Sequence, residues 1–552
     1  MPYLGKEALS QYIRTACKRQ LRLYLTPDNA QYAAERAAHH MPPPQPPRPG
    51  LEYIKQEGDR WQAEKLHDLT QAFGVSAVIG DSFLHSSGQI RYREQSLQHL
   101  LRQPMVPYTF LIEAEFEIDA TFKTALGISG YETTFNLRYA NVRPDVIQIF
   151  PPSYFHTYVL PSGEIDQLPP GDPRLQLRVI DIKLTAEPSP SYFAEVTYYM
   201  VALAGWLIDH HLDHQFVVVP DGAIWPGTHA ASHLMKTLNN HPRGSTPSPL
   251  ELQQALEHDL EIVPFEVFAF RLRRFLQEDV REVLAAPSWQ TLEWHVDNRC
   301  KGCEYAGYPW QNSQGQLTSQ PAHCMPTAAQ QDHLCRVAFI PRGASIVLRN
   351  QGVQNVSSLA SRQPHDAVYD LHQTLRATRT VVSSRAQALQ TGLASLSPGS
   401  GTSAIMPRWA DLRMYLSVDF DLGSAITFAF GLKASWVEPF DRQNPTAPRR
   451  TQRWQPLTLI VDQRDLQAEQ RELLAFLKTI NDILTEAKRQ LHPDTSVQFY
   501  LWDRLQYDHF TRIIGRHLQA VLQDRTIHDL AWLFPSEELL PKGHAPLGHH
   551  QG

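Results

Sequence analysis

The amino-acid sequence predicts a protein of the α/β class, with one mixed sheet flanked by helices and a second α/β part towards the C-terminus. Two short runs, Arg143–Phe150 and Leu177–Leu184, are rich in β-branched residues and have the length of buried strands. The stretch Ser191–Trp206 follows them with the apolar and aromatic pattern of a buried helix. A second set of strand-like runs, Leu412–Gly423 and Ala425–Leu432, predicts the other part.

Length and composition limit the classes of protein to consider. At 552 residues the chain is long enough for two or three domains. Its 42% hydrophobic and 20% charged content is typical of a soluble globular protein. The net charge of −6 provides no overall basic footprint, so any contact with nucleic acid must come from local patches. No long apolar run and no secretory leader is present, which favours a cytoplasmic protein that does not cross a membrane.

The N-terminal region is expected to supply further helices and strands of the first sheet. Apolar residues recur at helical spacing from Tyr3 to Leu25, and the proline-rich stretch Met41–Gly50 is expected to form a stiff surface connector. A surface excursion rich in Pro, Gly and Ser is predicted over 151–173. A helix is predicted over 58–73, and further strands are predicted over 75–79, 108–118 and 215–220.

Charged residues interrupt both central strands. Asp145 lies in the first, and Asp181 and Lys183 lie on the same side of the second, with Ile182 opposite. Buried charges are costly unless they are paired or hold a metal ion. A buried salt bridge satisfies this requirement, and so does a divalent cation with an attacking water held between the two carboxylates.

The helix after the second strand adds Glu195 and Tyr199, which are four residues apart and therefore share a face. With these residues the chain resembles the RecB-like branch of the PD-(D/E)XK nucleases. That family carries Asp, then Asp-x-Lys, then Gln-x-x-x-Tyr on the next helix. Here Asp145 and the run from Asp181 to Lys183 match the first two motifs, and Glu195 stands where the family usually has Gln.

The resemblance implies a restriction-endonuclease-like core. Asp145, Asp181 and the backbone carbonyl of Ile182 would hold Mg²⁺ or Mn²⁺, which prefer oxygen ligands. Lys183 would orient the attacking water and neutralise charge on the scissile phosphate. Tyr199 would hydrogen-bond or stack at the wall of the site.

The family takes one more ligand from a helix that precedes the strands. The matching stretch is Gly58–Leu69, where a Gly-x-x-x-Glu spacing would end on Gln62. Glu64 is therefore the first candidate and His67 the second. A solvated helix face is the alternative interpretation of both residues.

Cysteines form the second pattern. Cys300 and Cys303 are separated by two residues and followed by Cys324 and Cys335, a spacing that suits structural zinc. Some RecB-like nucleases instead bind an iron–sulfur cluster with one cysteine before the core and three after it. The resemblance implies that Cys17, Cys300, Cys303 and Cys324 hold a [4Fe-4S] cluster that closes the two ends of the domain, with Cys335 left over.

The predicted domains are 1–340, a helical hairpin region over 341–392 around Gly352, a linker over 393–407, and 408–540. The last part resembles the ribonuclease-H-like domain that follows the nuclease in a group of RecB-like proteins. Its metal-binding motif would be Asp419-x-Asp421, with Asp503 or Asp508 later. Asp in place of the usual Glu indicates a degenerate, structural copy.

The expected function is a metal-dependent deoxyribonuclease, acting as an exonuclease or endonuclease in DNA repair or in defence against foreign DNA. The sequence has no Gly-x-x-x-x-Gly-Lys-Ser/Thr loop, so a separately encoded helicase is the expected partner for unwinding. The rival interpretation is a catalytically inactive DNA-binding or assembly subunit with a structural cysteine-held metal.

Overall fold

The structure is a computed structural model that describes residues 3–47, 51–86, 88–106, 108–185, 187–227, 232–240, 246–312, 314–393, 410–421, 425–437, 451–491 and 495–527. The chain divides into two compact units, Met1–Pro398 and Gly399–Gly552. Both units are of the mixed α/β type, as the sequence predicts. The predicted linker over 393–407 lies outside the described residues except for Leu393.

The first unit contains fifteen strands and sixteen α-helices among its described residues, besides short 3₁₀ and π-helical turns. The strands are β1 (Tyr3–Leu4), β2 (Val78–Ile79), β3 (Asp81–Leu84), β4 (Ile90–Arg93), β5 (Gln95–Ser96), β6 (Thr109–Ile112), β7 (Ala114–Glu115), β8 (Arg138–Tyr139), β9 (Val146–Phe150), β10 (Thr157–Val159), β11 (Ile165–Gln167), β12 (Leu175–Lys183), β13 (Phe216–Val218), β14 (Ala223–Pro226) and β15 (Glu261–Ile262). The helices are α1 (Lys6–Thr15), α2 (Lys18–Tyr24), α3 (Ala33–Ala38), α4 (Leu51–Phe73), α5 (Leu97–Leu100), α6 (Ala120–Ala125), α7 (Tyr131–Thr134), α8 (Pro190–Asp209), α9 (His233–Asn240), α10 (Pro249–Glu257), α11 (Phe265–Arg274), α12 (Val280–Ala285), α13 (Cys324–Gln330), α14 (Arg342–Asn350), α15 (Val356–Ala360) and α16 (Gln373–Thr391).

A mixed sheet forms the centre of this unit. Its strand order is β15-β14-β12-β9-β6-β2, and β13 also pairs with β12. β9 is antiparallel to both β6 and β12, whereas β13 and β14 are parallel to β12. The two aspartate-bearing strands predicted from the sequence are therefore neighbours in the sheet.

Alternation along the strands gives each face of the sheet its own core. Leu177 and Val179 face a core shared with α1, α8, α11 and α12. Ile180 and Ile182 face a second core shared with α4 and α10. The sheet is thus covered by helices on both sides, which explains why β12 is apolar along nearly its whole length.

Two predicted elements are interrupted in the structure. The prediction of one continuous helix from Tyr3 to Leu25 is wrong. Ala16 adopts a left-handed conformation (φ 47°), which divides the segment into α1 and α2. The strand predicted over 108–118 is divided at Glu113, where φ is 51°. A side chain in this region of backbone space is strained, and such residues concentrate at functional sites.

Three further segments differ in detail from the prediction. Val75–Ala77 forms a short 3₁₀ turn, so that only Val78–Ile79 is a strand. The segment over 151–173 contains the β10–β11 hairpin. The prediction of a surface connector is wrong for Met41 and Gln45, which are buried, because the Gln45 side chain donates to the Tyr308 carbonyl at 2.7 Å.

The predicted pair of helices around Gly352 is confirmed as α14 and α15.

The described residues of the second unit form a five-stranded sheet with helices on one face. Its elements are β16 (Leu412–Phe420), β17 (Thr427–Val437), β18 (Thr451–Arg453), β19 (Leu457–Ile460), α17 (Leu466–Gln490), β20 (Val497–Tyr500), α18 (Arg504–Arg516) and α19 (Leu518–Gln523). The strand order is β18-β17-β16-β20, with β19 beside β17, and β20 is the one strand parallel to β16. Apolar side chains from β16, β17 and all three helices form a single core.

Across the part of the chain that the structure describes, no helix combines the length and the apolar composition needed to span a membrane.

Candidate functional site

Three carboxylates form a row across three neighbouring strands of the first sheet. The register of β6, β9 and β12 places Glu113, Asp145 and Asp181 side by side. The Glu113 N–H donates to the Asp145 carbonyl at 3.1 Å. The Ile182 N–H donates to the Asp145 carboxylate at 2.6 Å. Strand alternation turns Asp145 and Asp181 towards the same face, the one covered by α1 and α8.

Lys183 lies against this row, as its spacing from Asp181 predicts. Its Nζ is 2.8 Å from Asp181 Oδ2 and 3.6 Å from Glu195 Oε2. Burial alone would lower the pKa of Lys183, but the carboxylates of Asp181, Asp145 and Glu195 raise it overall, so the ammonium stays charged. Asp181 is fully buried, and among the described residues neither of its oxygens accepts a hydrogen bond of normal geometry. Its charge therefore relies on the ion pair with Lys183.

Helices α8 and α1 complete the wall of the site. Glu195 and Tyr199, which are four residues apart on α8, are both buried. The Tyr199 hydroxyl has no hydrogen-bond partner among the described residues, and burial followed by the charges of Asp181 and Glu195 raises its pKa well above the usual value. Lys6, at the start of α1, places its Nζ 5.2 Å from the centre of the Tyr199 ring. Sequence reasoning missed Lys6, because only the packing of α1 on α8 brings it here.

The carboxyl groups of Asp145, Glu113 and Glu195 are protonated more readily than isolated ones. Burial, then the charge of Asp181, raises the pKa of Asp145 to about 7. Burial also raises the pKa of Glu113 and of Glu195, and Asp181 adds to both shifts. Burial and the neighbouring carboxylate charge thus disfavour the ionised forms of these groups, and a bound divalent cation would favour them.

Glu113 is the carboxylate that sequence reasoning missed. Gln62 Nε2 donates to its Oε1 at 2.8 Å, and Arg143 Nε lies 3.1 Å from its Oε2. Helix α4 thus reaches the row through Gln62, the position that the family spacing indicated. Glu64 is exposed and pairs with Arg60 at 3.0 Å, and the exposed His67 hydrogen-bonds Gln71. None of the described contacts connects Glu64 or His67 with the row.

A groove of about 560 Å³ opens beside Glu113. Arg91 and Arg93 on β4, together with Arg143, supply its positive charge, and Phe83 and Tyr92 supply aromatic surface. Arg91 pairs with Asp59 and Arg93 pairs with Asp81, each at an N–O distance of 3.3 Å, and both aspartate side chains are partly exposed. Such loose surface pairs contribute little energy, so a phosphate can replace the carboxylate partner at small cost.

The four cysteines of the predicted cluster line one cavity of the first unit. Cys17 lies in the break between α1 and α2, Cys300 and Cys303 lie in and after the 3₁₀ turn over 298–302, and Cys324 begins α13. Burial raises the pKa of Cys300 and Cys303, and raises that of Cys324 to about 12, so the free side chains are neutral thiols. Cys335 lies in the same apolar group as Cys17 and Cys324 but does not line the cavity.

A buried guanidinium completes the cysteine cavity. Arg19 lies 4.2 Å from the ring centre of Trp294 and 5.1 Å from that of Trp289, and it hydrogen-bonds Cys324. Its Nε has no hydrogen-bond partner among the described residues. Four sulfur donors beside an under-satisfied buried cation suit an anionic thiolate-ligated centre, which iron–sulfur clusters and zinc both form.

Within the described residues, no group of three or more His, Cys, Asp or Glu side chains is already arranged as the ligands of a metal ion. Both the carboxylate row and the cysteine cavity would therefore need side-chain adjustments to bind one.

The carboxylates singled out in the second unit have structural partners. Asp421 pairs with Arg464 at 2.7 Å, Asp503 caps α18 by accepting from the Gln506 N–H, and Asp508 pairs with Arg504. Asp419 accepts from the Ser417 hydroxyl at 3.2 Å.

Glu469, on α17, is a fully buried carboxylate of this unit. It accepts from the Thr427 N–H at 2.6 Å and from Arg516 and His517 at 2.8 Å each. These hydrogen bonds and the Arg516 charge overcome the effect of burial and lower the pKa of Glu469. Arg516 therefore already provides positive charge of the kind that a metal ion would supply, and His517 adds a hydrogen bond.

No protein-family model, curated protein or solved structure matches the chain.

Proposed function

We propose that the first unit is a metal-dependent deoxyribonuclease of the RecB-like PD-(D/E)XK type. The observation that carries this proposal is the row of Glu113, Asp145 and Asp181 on adjacent strands, with Lys183 against Asp181. Two carboxylates on one sheet face, with a third on the neighbouring strand and an ammonium beside them, fit Mg²⁺ or Mn²⁺ and a nucleophilic water. The strand–strand–helix order around the row also agrees with the restriction-endonuclease-like core that the motifs imply.

Each residue has a distinct part in phosphodiester hydrolysis. Asp145, Asp181 and Glu113 would hold the ion, with the Ile182 carbonyl as a further oxygen ligand. When bound, the ion supplies Lewis-acid stabilisation and a water of lowered pKa. Lys183 would orient the attacking water by hydrogen bonding and would offset negative charge on the phosphate. Tyr199 and Lys6 close the wall opposite the sheet, and the arginines of the groove bind phosphates of the substrate strand.

The cysteine cavity is proposed to hold a [4Fe-4S] cluster, with structural zinc as the alternative. A thiolate-held centre there would tie Cys17, near the N-terminus, to the segment that contains Cys300, Cys303 and Cys324. Arg19 would donate to the thiolate of Cys324 and compensate the negative charge of the centre.

The second unit is proposed to be ribonuclease-H-like and without a catalytic metal. A parallel β16–β20 pair with antiparallel β17 beside β16 agrees with such a fold. The partners of Asp421 and Glu469 favour a structural role for its carboxylates. Because the chain has no nucleotide-binding loop, we propose that a separate helicase supplies unwound DNA, in repair or in defence against foreign DNA.

A non-catalytic DNA-binding subunit is the second candidate. It is favoured by Glu195, which lies 3.6 Å from Lys183 where the family has an uncharged amide. The added carboxylate draws the ammonium away from a substrate phosphate.

A cleavage assay separates the two functions. The purified chain is expected to degrade end-labelled DNA in the presence of Mg²⁺ or Mn²⁺, and to be inactive with EDTA. Parallel reactions with single-stranded DNA, duplex DNA and RNA, each labelled at either end, define the substrate and the polarity. Binding of DNA without any metal-dependent product would support the non-catalytic subunit instead.

Cleavage is also expected to depend on pH through Asp145. Because its pKa is raised to about 7, the ligating carboxylate form is depleted as the pH falls below that value. At subsaturating Mg²⁺, kcat/KM should therefore be about tenfold lower one pH unit below the pKa than on the alkaline plateau. Higher Mg²⁺ should move the midpoint to lower pH, since the ion competes with the proton. A profile that stays flat from pH 6 to pH 8 at every Mg²⁺ concentration contradicts this role of Asp145.

A further inference from the structure

The second unit has one sheet face that its described helices do not cover. Alternate residues of β16, from Leu412 to Val418, enter the core with α17, α18 and α19. The intervening residues Arg413, Tyr415 and Ser417 therefore lie on the opposite face. In a protein that needs only a folded scaffold, such a face carries scattered polar side chains.

Aromatic rings are concentrated on this face. Tyr415 on β16 and Tyr500 on β20 lie opposite each other in the register and stack, with ring centres 5.0 Å apart and planes at 16°. Tyr415 is 41% exposed. Trp502, two residues beyond Tyr500, is 88% exposed. A stacked pair of this kind leaves an open ring face to which another planar group can add.

Cations flank the tyrosine pair. Lys433 on β17 lies opposite Tyr415, and it is exposed. Arg413 and Arg453 both lie opposite Ser435, on the two sides of β17. Asp419 is the acidic residue at the far end of β16, two positions beyond Ser417. The face thus carries local positive charge in a chain whose net charge is −6.

We propose that this face (Arg413, Tyr415, Lys433, Arg453 and Tyr500), together with the exposed Trp502 just beyond the end of β20, binds single-stranded nucleic acid; we call this set of residues the tyrosine platform. Bases stack on Tyr415 and on Trp502, and Arg413, Lys433 and Arg453 contact the phosphates. Stacking needs unpaired bases, which a single strand offers and a duplex does not. The charge of the face complements a polyanion, whereas an acidic protein partner would leave the exposed ring faces without planar partners. The platform is independent of the proposed nuclease site.

The test measures binding of a fluorescent 15-nucleotide oligothymidylate to the full chain by anisotropy in EDTA, so that no cleavage occurs. The variant Tyr415→Ala/Tyr500→Ala is expected to bind roughly tenfold more weakly, because each base stacked on an aromatic ring contributes substantially. Tyr415→Phe/Tyr500→Phe keeps the rings and should bind as the unchanged chain does. Trp502→Ala should also weaken binding of the oligonucleotide, because the proposal has a base stacked on Trp502. This side chain is 88% exposed, so its removal should not affect folding.

Salt dependence tests the cations. In Lys433→Gln/Arg453→Gln, the slope of log K against log salt should fall by about 0.7 for each lost phosphate contact. Lys478→Gln is the matched control, because Lys478 is an exposed residue of α17 on the opposite side of the sheet. All measurements are repeated with Arg91→Gln/Arg93→Gln, so that binding in the groove of the first unit cannot conceal a change. Unchanged affinity and slope in both backgrounds, with the variants folded, would overturn the proposal even if the chain cleaves DNA.

Discussion

Replacing Lys183 by methionine is expected to abolish metal-dependent cleavage, with a loss of at least about 100-fold. The ammonium is the group 2.8 Å from Asp181, and methionine keeps the apolar stem while removing the charge. The same change should reduce the stability of the metal-free protein by about 3–5 kcal/mol, because it leaves the fully buried Asp181 carboxylate without its partner. Initial rates on end-labelled DNA and the midpoint of thermal unfolding measure the two effects.

The double variant Asp181→Asn/Lys183→Met separates catalysis from folding. It removes both charges, so much of the lost stability should return, whereas cleavage should remain absent. A folded Lys183→Met protein that cuts DNA at the rate of the unchanged chain would exclude Lys183 from the reaction. Restored cleavage in the double variant would show that the ion pair serves the fold alone.

Replacing Cys17 by serine is expected to remove the thiolate-held centre from the purified protein. Cys17 is the one ligand candidate supplied by the N-terminal end of the first unit, whereas Cys300, Cys303 and Cys324 come from its later part. Anaerobically prepared protein should contain iron and sulfide and show broad visible absorbance, and the Cys17→Ser protein should lose all three. Its thermal midpoint should fall on the order of 10 °C, since binding of the centre is coupled to folding.

Cys335→Ser is the matched control for this prediction. Cys335 is half-buried in the apolar group next to Cys17, but it does not line the cavity. The Cys335→Ser protein should therefore keep its iron and its thermal midpoint. Colourless protein with one zinc per chain would contradict the cluster and support the zinc alternative.

Much of the site could be predicted because short strands follow a simple rule. Alternation fixes Asp181 and Lys183 on one side of β12, and the length of each apolar run fixes where β9 and β12 lie along the chain. The four-residue spacing similarly places Glu195 and Tyr199 on one face of α8. These local rules explain why Lys183 lies beside Asp181, whereas the position of Asp145 next to Asp181 depends on the register of β9 with β12.

The remaining parts of the site depend on contacts between distant segments. Glu113 joins the row through the register of β6 with β9, and its left-handed backbone interrupts a run that otherwise predicts a continuous strand. Lys6 arrives through the packing of α1 on α8. On α4, tertiary packing turns Gln62 towards the row and Glu64 towards solvent, and spacing alone does not determine which face of a helix is buried.

The central claim is that a divalent cation binds between β9 and β12, and the most direct test is a titration with Mn²⁺ at pH 8. Free Mn²⁺ gives a paramagnetic resonance signal, and the loss of this signal as protein is added measures binding. The full chain should bind the ion with one-to-one or two-to-one stoichiometry, and the Asp145→Asn/Asp181→Asn variant should bind none at the same concentrations. Equal Mn²⁺ binding by the two proteins would contradict the account, because the ion would then lie elsewhere than between β9 and β12.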